Sequence, residues 1–144
     1  LVDGGIPWAG AVVVAASDRV GGIASVVVLT GFVRNEALCD IYGAAVLFVV
    51  TSLFEGFGSP LLVAMMAGVP LCSSERSIIP EVVGDAGLLF DPDDSSSIET
   101  CIRRLLEDPQ LRQRMIRAGR QRARAFTWEA AAGRVVNVLR EAQA

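Results

Sequence analysis

The chain has 144 residues, enough for one domain that buries about two-thirds of the surface its unfolded form exposes. Its formal net charge of −3 and sequence pI of about 4.9 remove the electrostatic basis for nucleic-acid binding, so no nucleic-acid partner is expected. All 13 basic residues are arginine, with no lysine and no histidine, which excludes a lysine Schiff base, a histidine triad and a histidine metal site. No metal is expected, and any catalysis must use carboxylates, arginine, backbone dipoles or groups of the substrate.

The first residues, Leu1 and Val2, read as though cut inside a strand, so a piece of a longer protein is expected. The stretch LVDGGIPWAGAVVVAAS predicts a strand stub, a glycine turn at Gly4-Gly5 and a helix from about Trp8, although Val12, Val13 and Val14 are β-branched and favour strand. VVVLTGFV (26–33) predicts a strand, NEALCDIYGAA (35–45) a helix and VLFVVTS (46–52) a second strand, together a βαβ unit. SPLLVAMMAG then predicts a helix over 60–67, N-capped by Ser59, with Pro60 at its first position and Gly68 at its end. VPLCSS (69–74) is a strand, PEVVGD a short helical turn and AGLLFDP (86–92) a last strand.

Short, fully apolar strands joined by helices predict an α/β fold, a Rossmann-like parallel sheet flanked by helices. The 52% content of hydrophobic residues, slightly above the usual range of about 45–50%, fits strands covered on both faces. From Asp94 the texture changes to amphipathic, arginine-rich helices over 98–108, 111–126 and 128–142, expected to cover the sheet within a single domain of residues 1–144. Thr127 is the expected N-cap of the last, with Glu129 complementing its dipole. Cys39, Cys72 and Cys101 are odd in number, widely spaced and set in apolar segments, so all three are expected as reduced core residues of a cytoplasmic protein. No apolar run reaches the roughly 18–20 residues of a membrane span.

The loop TSLFEGFGS, residues 51–59, carries the strongest chemical signal. In open parallel sheets, ligands bind beyond the carboxyl ends of the strands, where such strand-to-helix loops lie. The following helix would offer unpaired N–H groups and about half a positive charge, a site for phosphate, and Gly56 and Gly58 would let the backbone come close. A carboxylate beside that site repels phosphate, so Glu55 should meet a neutral, hydroxyl-rich group; a sugar linked to a diphosphate satisfies both. The plainer alternative is that the glycines only permit a tight turn and Glu55 is solvated.

EGFGSP followed by AMMAGVP resembles the donor-binding C-terminal domain of the retaining GT-B glycosyltransferases, the "glycosyl transferases group 1" family. LTGFV (29–33), LCDIYGAAVLFVVTS (38–52), IIPEVVGDAGLLFDPDD (78–94) and FTWE (126–129) extend the resemblance along most of the chain. It implies transfer of a sugar from a nucleotide-diphosphate sugar, a co-substrate with no further cofactor, to an acceptor with retention of configuration. It makes Glu55 the catalytic, sugar-facing acid and assigns Gly56, Phe57, Gly58 and Ser59 to donor binding, with backbone at Gly31 and Val33 near the nucleotide base. With no second carboxylate placed as a nucleophile, transfer on the front face of the sugar is implied. The family's second glutamate, which holds the nucleotide ribose, maps onto Val63, which cannot accept a hydrogen bond from a ribose. The resemblance also implies that an N-terminal acceptor domain, and the first strand and loop that supply the Arg and Lys of the diphosphate grip, lie outside these residues. The alternative function is a non-catalytic or degenerate Rossmann-like module that binds nucleotide weakly or supports a partner.

Three further groups are candidates for lesser roles. Arg76, after VPLCSS, is a candidate cation for a diphosphate, and Glu81 favours the start of its short helix. The arginines at 112, 114, 117, 120, 122 and 124 read as a solvated face, or alternatively as a contact with anionic lipid at the inner face of the membrane.

Overall fold

Short, mostly apolar runs form the strands, and glycine, proline and short polar residues set many of the helix ends. The computed structural model describes residues 12–14, 27–29 and 33–143. In chain order the elements are β1 (Val12–Val14), β2 (Val27–Leu29), α1 (Asn35–Ala44), β3 (Phe48–Val50), α2 (Ser59–Ala67), β4 (Leu71–Ser74), α3 (Ile79–Val83), β5 (Leu88–Phe90), α4 (Ser95–Glu107), α5 (Pro109–Ala123) and α6 (Trp128–Glu141). They fall into two compact units, Leu1–Ile41 and Tyr42–Ala144.

In the first unit β1 and β2 pair antiparallel, with Val12 opposite Leu29 and Val14 opposite Val27. This corrects the helix expected through Val12–Val14. Three consecutive β-branched residues lose side-chain freedom in a helix, and a second valine-rich run offers them a ladder instead. Of the βαβ unit expected over 26–52, the strand β2, the helix α1 and the strand β3 are present as elements, with β2 in the first unit and β3 in the second. The Gly4-Gly5 turn and the start of the expected helix at Trp8 lie outside the described residues. On α1 the half-buried Leu38 and Ile41 and the buried Tyr42 share one face by their spacing. Cys39 is turned about 100° from Leu38 and is exposed, which corrects its expected place in the core.

In the second unit β3, β4 and β5 form the expected parallel sheet, with β4 in the middle. Val49 aligns with Cys72, and Cys72 with Leu88. Cys72 and Phe90 from the sheet pack with Cys101 and Leu105 of α4 and Leu111 of α5, with Val49, Leu88, Ile98 and Met115 around them. Burying a side chain such as Leu105 fully contributes about 1.5–3 kcal/mol. Burial pushes the Cys72 thiol up to about 12, with a smaller contribution from nearby Cys101.

Helix α2 buries Leu61, Ala64 and Met65. Helix α5 comes close to it at Gly119, where a Cβ would lie 3.3 Å from Met65 Cγ. The cap of α2 is Gly58, left-handed at φ 81 and without a side-chain cap hydrogen bond; Ser59 is already helical, which corrects its expected capping role. The chain must turn sharply from the loop into the helix, and glycine takes that conformation without steric cost. Asp94 caps α4 by accepting from the Ser96 amide, Asp108 caps α5 through the Leu111 amide, and Thr127 caps α6 as expected, accepting from Ala130 N–H at 3.1 Å. Hydrogen bonds from Ser96 hold the Asp94 carboxyl below its ordinary value. Of the three C-terminal helices expected to cover the sheet, α4 and α5 supply core residues, and α6 buries none.

Candidate active site

The loops following β3, β4 and β5 leave the same edge of the parallel sheet, and they are tied to one another. The first contains Glu55, which is half-buried and held at two points. Ser52 Oγ donates to Glu55 Oε1 at 2.8 Å, and Ser77 Oγ, from the loop after β4, donates to the Glu55 carbonyl at 3.0 Å. Neither serine was a candidate from the sequence. Ser52 stands three residues before the acid, a spacing that could have flagged it; Ser77 is 22 residues away and carries no sequence signal.

Beyond Glu55, Gly56 is exposed and the space where a Cβ would lie is open. Phe57 sets its ring edge-on to Phe126, with centroids 5.9 Å apart, and the Arg122 guanidinium lies 5.2 Å from the Phe126 centroid. The loop is thereby anchored to the segment between α5 and α6. Gly58 is buried and Ser59 exposed. Among the described residues, the amides of Gly56, Phe57 and Gly58, at the mouth of α2, donate no backbone hydrogen bond. Val63 lies on the next turn of α2 with 39% of its surface exposed, and Met66 is exposed as well. One flank of α2, with Leu61, Ala64 and Met65, is therefore packed among the described residues, and the flank with Val63 and Met66 is exposed.

Arg76 is engaged by two carboxylates, Asp91 Oδ1 at 2.9 Å and Asp93 Oδ2 at 3.0 Å. Asp91 chiefly holds its guanidinium above the ordinary value, and local negative charge exceeds its own. That pairing does not favour the role of diphosphate cation. Its effect is to join the loops after β4 and β5, which also share a Glu75 N–H to Phe90 carbonyl hydrogen bond of 2.9 Å. Ser74 Oγ accepts from the Arg76 amide at 3.1 Å, while Ser73 Oγ is buried with no partner among the described residues.

Three of the six arginines from 112 to 124 sit at helix carboxyl ends, where cations are favoured. Arg112 donates to the Leu105 and Leu106 carbonyls of α4, each at 2.6 Å. Arg122 donates to the Glu81 and Val82 carbonyls of α3, and the Arg120 guanidinium lies where a Cβ on Gly68 would stand, at the end of α2. Arg114, Arg117 and Arg124 are exposed. Gly31 and its neighbour Phe32 lie outside the described residues; Val33 is half-buried ahead of α1, in the first unit. Among the described residues no group of acids and cysteines is arranged to hold a metal ion, and no helix is long and apolar enough to cross a membrane.

A family model for glycosyl transferases group 1 matches residues 12–122. The chain belongs to this family. It is 41% identical over 110 residues to O-antigen chain mannosyltransferase B of Escherichia coli, covering 76% of this chain and 29% of that protein. It is 33% identical over 125 residues to the MMP alpha-(1->4)-mannosyltransferase of Mycolicibacterium hassiacum, covering 84% and 30%. A sucrose-phosphate synthase from Thermosynechococcus elongatus has a similar structure, with a TM-score of 0.72 and 31% identity over 83% of this chain and 31% of that one. The C-terminal domain of a group 1 family protein from Francisella tularensis gives a TM-score of 0.55 at 28% identity, over 66% and 50%. The fold is that of GT-B glycosyltransferases. The chain spans about 30% of the length of these two curated relatives.

Proposed function

We propose that this chain forms the donor-binding part of a retaining glycosyltransferase that takes a hexose, mannose in the first instance, from a nucleoside diphosphate sugar. The observation that carries this reading is the half-buried Glu55 beside the unpaired amides of Gly56–Gly58, at the carboxyl edge of a parallel sheet. The carboxylate accepts hydroxyls of the sugar while the loop amides and the mouth of α2 meet the phosphates. Mannose is favoured because both curated relatives described above are named as mannosyltransferases. With Glu55 orienting the sugar, retention is consistent with front-face transfer in which the leaving phosphate helps to deprotonate the acceptor. The acceptor is then held by a further domain, the cations of the diphosphate grip belong to a strand and loop of the donor domain outside these residues, and the sugar nucleotide is a co-substrate, with no separate cofactor.

Titration calorimetry with nucleoside diphosphates, bare and mannose-linked, tests the reading. Glu55→Gln is expected to weaken the mannose-linked ligand about tenfold and the bare one less than twofold, because one charge-assisted hydrogen bond contributes about 1.5–3 kcal/mol. Equal weakening of both ligands would show that Glu55 does not face the sugar.

One observation favours a second reading, a module that binds nucleotide weakly without catalysis. Val63 presents an exposed apolar side chain where the family resemblance calls for a ribose-holding carboxylate. Val63→Glu is then expected to tighten bare nucleotide about tenfold. An unchanged Kd removes the missing ribose anchor as an explanation.

A further inference from the structure

Ser77 is left-handed at φ 56, the sole non-glycine residue with positive φ among the described residues. An L-residue occupies that region only where its surroundings hold it there, and such positions cluster at functional sites. Here the holding contacts are visible. The Arg76 amide donates to Ser74 Oγ, its guanidinium is fixed by Asp91 and Asp93, and the Ile79 amide donates to the Arg76 carbonyl at 3.3 Å. In the conformation so fixed, the Ser77 hydroxyl reaches the Glu55 carbonyl.

The second hydroxyl acts at the other end of the same residue. A carboxylate and a carbonyl can only accept, so both serines are donors and each hydroxyl has one direction in which to point. The terminal torsion of a glutamate is broad and nearly two-fold, so an unrestrained carboxylate presents either oxygen over a wide arc. Ser52 removes that freedom by taking Oε1, and among the described residues Oε2 takes no hydrogen bond. Ser77 fixes the peptide that leads directly into Gly56, the first of the three loop amides.

We infer that Ser52 and Ser77 are positioning residues for the sugar of the donor: Ser52 sets the carboxylate of Glu55 so that Oε2 accepts a sugar hydroxyl, and Ser77 fixes the backbone from which the carboxylate and the loop amides diverge. The inference rests on the donor reading of Glu55. It adds that the affinity contributed by the sugar depends on two hydroxyls that need not touch it.

The test is the ratio of Kd for a bare nucleoside diphosphate to Kd for its mannose-linked form, measured on the full chain by calorimetry. Ser52→Ala is expected to lower this ratio about tenfold and Ser77→Ala about fivefold, with the bare ligand changed less than twofold; Ser52→Thr, which keeps the hydroxyl, restores the ratio to within twofold. Ser77→Gly accepts the left-handed backbone without strain, so it separates loss of the hydroxyl from loss of fold; it is expected to lower the ratio as Ser77→Ala does without lowering the melting temperature. An unchanged ratio in Ser52→Ala beside a lowered ratio in Glu55→Gln overturns the positioning role alone, as does equal weakening of both ligands. Failure of the parent chain to bind any of the nucleotides overturns the donor reading and the positioning role with it.

Discussion

Helix α2 is apolar on nearly every side and buries Leu61, Ala64 and Met65, whereas α6 carries a cleanly divided apolar stripe and buries nothing. Trp128, Ala131, Ala132, Val135, Val138 and Leu139 recur every three or four residues on one side of α6, and Trp128 is 89% exposed. The stripe alone therefore does not decide burial. What decides it is whether a complementary surface stands opposite, and α2 has one because Gly119 lets α5 approach Met65. A stripe states which face needs cover, and only tertiary contacts state whether this chain provides it.

The contrast can be broken at its strong end first. Leu61 has no exposed surface, and its side chain closes against Gly58 at the mouth of the candidate site. Leu61→Ala should destabilise the second unit by about 2–5 kcal/mol, read from denaturant unfolding with an unchanged slope. A cost below about 1 kcal/mol would mean that α2 is no better packed than α6.

Next in size is an effect of pH on the core that α4 and α5 cover. The Cys72 thiol is raised from 9.0 to about 12 in the folded chain, so the unfolded chain loses its proton first as pH rises. The folded state's advantage is complete below pH 9 and is lost as pH climbs from 9 towards 12. Melting temperatures followed through that window should fall, and Cys72→Ala should flatten the fall; an equal slope in both proteins would place the alkaline sensitivity elsewhere.

The smallest expected effect is on α6. Leu139→Ser should change stability by less than about 0.5 kcal/mol, as for an ordinary surface substitution, although the same change on the buried face of α2 would be severe. A loss above about 1 kcal/mol by the same unfolding measurement would show that the α6 stripe is covered in solution.

Local chemistry was legible where it acts over a few residues. Thr127, Gly68, Pro60 and the apolar strands 48–50, 71–74 and 88–90 announce themselves, because caps, left-handed turns and strand runs depend on neighbours in sequence. The loop 51–59 was legible for the same reason, with a carboxylate and two glycines standing directly before a helix. Ser59 was misplaced by one residue because a serine and a glycine side by side can each cap, and the direction of chain entry chose Gly58. Cys39 was misplaced because an apolar segment does not tell which of its residues faces inward.

The sequence by itself determined the parallel α/β unit, the family and the placing of Glu55 at the head of α2. Periodicity, turn residues and the motif are properties of contiguous stretches and need no folded chain to be read. Only the tertiary structure decided that Ser77 holds Glu55 from 22 residues away, that Arg76 is balanced by Asp91 and Asp93, and that Arg112, Arg120 and Arg122 sit at the carboxyl ends of other helices. A long polar side chain is drawn to whichever carbonyl, carboxylate or hydroxyl folding brings within about 3 Å, and that partner has no fixed offset in the sequence.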